Sequence, residues 1–171
     1  MAHETYKDEA GIREVVRKFE GCEYALADFT HVRHVTVACW YLCTSGTGSM
    51  AEAVGRSDQA LERMRSGLQR FLTHHDKQGY HETITRFWIE LLGSFLGKFG
   101  DGTATTLKVN RALECYGSKD ILFSYYTRDR VMSDTARREW VEPDLRAIGE
   151  ARAESAAKEE FGRIIETFIN T

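Results

Sequence analysis

One proline, Pro143, stands in 171 residues. Proline is the residue that most sharply interrupts helices, so long helices are permitted almost everywhere. No stretch alternates polar and apolar residues strongly enough to predict a strand. Basic residues are not in excess: 23 Lys and Arg face 26 Asp and Glu, a net charge of −3. Neither nucleic acid nor an anionic membrane surface is therefore an expected partner. No apolar run approaches the roughly 18 residues of a membrane span. The start, MAHETYKDEA, is polar and acidic and does not read as a signal peptide. The expected compartment is the cytoplasm.

Cysteine is also scarce. Cys22, Cys39, Cys43 and Cys115 include no C-x-x-C pair. They read as four buried small hydrophobes in a reducing compartment. Phosphate-binding and hydrolase signatures are missing too: SGTGSM lacks the lysine of a P-loop, and no G-x-S-x-G elbow occurs. Cys39 and His31 share a helix but lie about 12 Å apart along its axis, too far for a direct catalytic pair.

What is present is helical periodicity. Ile12, Val15, Val16 and Phe19 predict a first helix over about 9–20, ended by Gly21. Asp28 or Thr30 can cap a second helix to about Cys43. Val32, Val35, Val37, Ala38, Trp40, Tyr41 and Leu42 make it apolar on most sides, which marks a central helix. Leu61, Met64, Leu68, Phe71 and Leu72 form the stripe of a third, over about 57–75. Ile84, Trp88, Leu91, Phe95 and Phe99 form that of a fourth, over about 81–99. Further helices are expected from Thr103 to about Tyr116, over about 118–126, and from Ser133 or Asp134 to about Val141, where Pro143 breaks the pattern. Arg146 to Ile169 reads as a charged surface helix with a late stripe of Phe161, Ile164, Ile165 and Phe168. The expected fold is all-α: a bundle of four to five main helices over 1–146, and a C-terminal helical extension over 147–171. Docking of that last stripe supports an expected homodimer. Trp140 is expected to pin the C-terminal segment onto the bundle.

The residues richest in chemistry are histidines. FTHVRH sets His31 and His34 three apart at a helix start, about 60° apart on one face. His81 opens the fourth helix in register with its apolar stripe, so it points inward. A core-facing histidine needs a partner. One reading is a hydrogen bond to a carbonyl or carboxylate. The other is a metal site of His31, His34 and His81, suited to zinc or ferrous iron. Glu82 beside it reads either as a first-turn complement to the helix dipole or as the general base of a metal-bound water. Glu20, at the end of the first helix, is its rival. Trp40, Tyr41, Phe87, Trp88, Tyr125 and Tyr126 could line an apolar substrate pocket or simply pack the core. His74 and His75 sit at a helix C-terminus and read as surface residues.

Five ordered segments carry a resemblance: KFE, FTHVRHVTVACWYL, RMRSGLQRFL, YHETITRFWIELL and YYTRDRVMSDTARREWVEPDL. Over roughly 12–146 the chain resembles a family of bacterial proteins of about this size and unassigned function. Those proteins carry F-x-H-x-x-H, then Y-H-E-T, then A-R and P-D-L. The resemblance implies a helical domain and the grouping of His31, His34 and His81. It also points to Tyr80, Glu82, Thr85 and Tyr126, with Tyr80 and Thr85 joining the candidate pocket. It implies no activity, and the tail falls outside it. Two classes of function follow: a small metal-dependent enzyme with an aromatic pocket for a small-molecule substrate, or a non-catalytic module whose histidines are structurally satisfied and which binds a ligand or partner.

Overall fold

The computed structural model describes residues 5–45 and 50–148, the first five of the latter as backbone alone. Five main helices come first: α1 Glu9–Glu20, α2 His31–Thr44, α3 Met50–His74, α4 Glu82–Leu96 and α5 Thr105–Tyr116. A 3-10 helix, Lys119–Ser124, and two short helices follow, α6 Arg128–Val131 and α7 Asp134–Arg138. Among the described residues there is no strand, and the protein is all-α. No described helix is long and apolar enough to cross a membrane.

Asp8 starts α1 by accepting from the Gly11 amide at 3.1 Å. The stripe Ile12, Val15, Val16 and Phe19 is buried as its spacing requires. Gly21 closes the helix. α2 is the central element, packed against α1, α3, α4 and α5. Five successive residues, Val35 to Cys39, are buried, which only a helix surrounded on all sides can achieve. Thr36 is one of them. Its hydroxyl donates to Val32 O at 2.9 Å and meets the Tyr6 hydroxyl at 3.1 Å, so this buried hydroxyl is not stranded. α3 approaches α1 closely at Gly67, where an added Cβ would lie 2.7 Å from the Phe19 ring.

α4 serves two cores. Ile89, Leu92 and Leu96 face the main core with α1, α2, α3 and α5. Phe87 and Leu91 face a second one with Leu122, Tyr125, Tyr126 and Val131. The C-terminal segment closes that second core by hydrogen bonds. Thr83 Oγ1 donates to Glu139 O at 2.7 Å and accepts from Val141 N at 3.1 Å. Tyr126 donates to Val141 O at 2.8 Å, and Leu145 N donates to Tyr125 O at 3.0 Å. Trp140 packs on this core beneath the Arg86 guanidinium, 4.7 Å from its ring, and so pins the segment as expected.

Several boundaries differ from the sequence reading. α3 begins at Met50, before its apolar stripe does. The helix expected over 118–126 is 3-10, and the one expected to reach Val141 stops at Arg138 because the chain must extend to bond Thr83. α6 has four residues, too few to leave a period. Cys115 is exposed, contrary to the expectation of four buried thiols; Cys39 is buried and Cys22 and Cys43 partly so, all four being free. The expected C-terminal helix does not start at Arg146, since Arg146–Ile148 is non-helical; the rest of that helix and its stripe lie outside the described residues.

Candidate functional site

Three helices each turn one stripe toward a common cavity of about 320 Å³. From α2 come His31, His34, Val35 and Ala38; from α3, Met64, Leu68, Phe71 and Leu72; from α4, Ile84, Thr85, Trp88 and Ile89. Each set follows the three- and four-residue spacing of a single helix face. These stripes read as core in the sequence, but here the helices stand apart and leave a space. Phe29 and Leu26 of the α1–α2 connection and Gly79, Tyr80 and His81 of the α3–α4 connection complete the wall.

The three histidines all border this cavity, yet their nitrogens are differently engaged. His81 is the N-cap of α4. Its Nδ1 accepts from Ile84 N at 3.3 Å, and its Nε2 lies 2.9 Å from Val131 O. A nitrogen that accepts from an amide carries no proton, so Nε2 is the protonated one and donates to the carbonyl. Both nitrogens are thus in use. This is the hydrogen-bonded alternative for a core-facing histidine, and the bond ties α6 to the start of α4. His31 donates from Nε2 to Tyr116 O at 3.1 Å and stacks against Trp88 with 4.6 Å between ring centroids.

His34 is the exception. Its ring packs on Phe29 at 4.1 Å but makes no hydrogen bond to another described residue. Burial, with a smaller contribution from nearby His31, pushes its pKa down to about 4. Burial also lowers His31 and His81. All three imidazoles are therefore neutral near pH 7. Among the described residues no group of three or more His, Cys, Asp or Glu is placed to hold a metal ion.

The candidate carboxylates lie elsewhere. Glu82 accepts a two-pronged contact from Arg65, Nη2 to Oε1 at 2.6 Å and Nε to Oε2 at 3.1 Å, and a 2.7 Å bond from Tyr80. The Arg65 bonds, opposed in part by burial, hold its carboxyl below the usual range, which makes it a weak base. Burial, and then the bond to Glu82, pushes the Tyr80 hydroxyl up to about 12. Glu20 is exposed and accepts from Tyr41 at 2.9 Å, with Arg63 at 3.5 Å. Glu20 and Tyr41 share a shallow recess with Arg63 and Arg70, and neither lines the histidine cavity.

Of the aromatic candidates, Trp88 and Tyr80 line the cavity, and Thr85 does so while its hydroxyl donates to His81 O at 2.9 Å. Trp40 lies under Arg13 against the main core, and Tyr126 is fully buried in the second core. The sequence reading missed Phe29, although it is the first letter of F-x-H-x-x-H, and Arg65, the partner that fixes Glu82. Phe29 was legible as the apolar residue just before a helix start. Arg65 follows Met64 of the α3 stripe and left no sign of its own. No family model, no curated protein and no solved structure matches this chain.

Proposed function

We propose that this chain is a binding module for a small, largely apolar organic molecule, held between α2, α3 and α4 with His34 as its polar anchor. The observation that carries this is His34 itself: a neutral imidazole with no hydrogen bond to a described residue, set in an apolar wall. His34 is half-buried and its ring nitrogens are not sealed in the core, so they are open to a partner that enters the cavity. Few polar groups in a chiefly apolar cavity, near the lower end of the size range for ligand sites, is the usual make-up of a small-molecule pocket. Neutral imidazole can donate from one nitrogen and accept at the other, so a hydroxyl or carbonyl on the ligand would suffice.

A zinc or ferrous-iron enzyme using His31, His34 and His81 is less well supported. Ligation by His81 would require it to give up its cap bond or its bond to Val131 O, a loss on the order of 1–3 kcal/mol for the buried carbonyl alone. Binding of an organic ligand requires no such rearrangement. The free thiols, with no disulfide among them, suit a cytoplasmic protein.

The test is titration with the uncharged fluorophore N-phenylnaphthylamine. Wild type should show saturable enhancement at one site per chain. Ala38→Phe fills the cavity from α2, and Leu72→Trp fills it from α3. Loss of binding in both, with unchanged circular dichroism, supports the reading. Absence of binding in wild type, or binding unchanged in both folded variants, overturns it. Elemental analysis of untagged protein serves as the second arm: about one zinc or iron per chain, lost from a His31→Ala, His34→Ala variant, would favour the metal enzyme.

A further inference from the structure

A second cavity, of about 550 Å³, shares His31, His34, Ile84 and Trp88 with the first. Its remaining wall has a different character. Lys119, Asp120, Leu122 and Phe123 come from the 3-10 helix, and Arg128 and Met132 from α6 and its end. Two cations thus face one carboxylate. Neither Lys119 nor Arg128 is ion-paired with a described residue. Arg128 is not loose, since its guanidinium rests 4.7 Å from the Phe123 ring centroid at the wall of this vestibule. Lys119 is near enough to His31 to disfavour its protonation.

We infer that the ligand is an amphipathic anion, its apolar body between α2, α3 and α4 and its acidic head in the vestibule at Lys119 and Arg128. This rests on the binding role proposed above and names the class of molecule. The shared wall dictates the arrangement. A ligand filling the apolar cavity as far as His34 and Trp88 has its end at the boundary of the vestibule, where the net excess charge is positive. A carboxylate there meets two donors of charge-assisted hydrogen bonds, one of them a planar fork. A cationic head would meet the same two charges with only Asp120 to offset them. A wholly apolar ligand would leave the vestibule to water.

Three probes with one alkyl chain and different heads test this: decanoate, decanol and decylammonium, each titrated to displace N-phenylnaphthylamine at pH 7. Wild type should bind them in the order decanoate, decanol, decylammonium, with decanoate favoured over decanol by about threefold to tenfold at low salt. High salt should compress that ratio. In Lys119→Glu, Arg128→Glu, at two exposed positions, the order should reverse while decanol affinity stays within about twofold. Equal affinities in wild type, or an anion preference surviving in the double variant, would overturn the head-group assignment and leave the apolar cavity intact. Failure of all three to displace the fluorophore would overturn both.

Discussion

Replacing His81 by alanine removes two hydrogen bonds at once, and their separate magnitudes follow from the geometry. Loss of the N-cap acceptor frees the Ile84 amide at the start of α4, at about 1 kcal/mol. Loss of the Nε2 donor leaves the carbonyl of fully buried Val131 unpaired, at about 2 kcal/mol. The sum is about 3 kcal/mol. In a chain of 171 residues each kcal/mol shifts the melting temperature by roughly 2–4 °C. The expected fall is therefore roughly 6–12 °C by differential scanning calorimetry. His81→Asn keeps an N-cap acceptor but cannot reach Val131, so about 1 kcal/mol should return. Running wild type and variants with and without EDTA adds the decisive comparison. If His81 is held by hydrogen bonds, chelation leaves every melting temperature unchanged. A loss below about 1 kcal/mol in His81→Ala would refute the assignment. So would a wild type that drops to the variant's melting temperature once metal is removed.

Stability should be full above pH 6.5 and decline as pH falls from 6.5 toward 4, because the native state resists protonating His34 while the unfolded chain accepts the proton; the effect is at most about 3 kcal/mol, less to the extent that solvent reaches the half-buried ring, and urea midpoints of His34→Gln should show a flatter decline. Gly67→Ala should destabilise by about 1–3 kcal/mol in chemical denaturation despite alanine's higher helix propensity, since the new Cβ meets the buried Phe19 ring; an unchanged or raised midpoint would show that Phe19 can move aside. Glu82→Gln should lower stability by about 1–2 kcal/mol, through loss of the paired Arg65 contact, and leave fluorophore binding unchanged; reduced binding in a fully folded variant would return Glu82 to the site.

The main helices were legible because each carries a long apolar stripe whose period survives any tertiary detail. The centrality of α2 could be read from its near-continuous apolar run. That His31, His34 and His81 border one space was also legible, from a three-residue spacing and a register. What they do there was not. Whether an inward histidine meets a metal or a carbonyl depends on where Val131 and Tyr116 fall, 50 and 85 residues along the chain. Local pattern does not encode such distances. The setting of Glu82 was illegible for the same reason: its carboxylate is held by Arg65, on another helix. The second core was legible only in part: helical turns near Lys119–Ser124 and α7 were expected, but these elements and α6 are too short to leave a period that shows which face they bury.

The double allegiance of α4 bears on how this sequence can change. From Glu82 to Leu92 every residue is buried or half-buried, the two alternating from Thr83 to Leu91. One side of the helix answers to the main core and the other to the second. A typical surface helix offers half its circumference to neutral drift, as α1 does at Arg13, Glu14, Arg17 and Glu20. Over three turns α4 offers only a narrow strip at the paired Arg86 and Glu90. A scan of all single substitutions, scored by cellular abundance, should show α1 as a periodic record of tolerated and rejected positions. α4 should appear as a nearly unbroken band of rejection, including at positions far from the cavity.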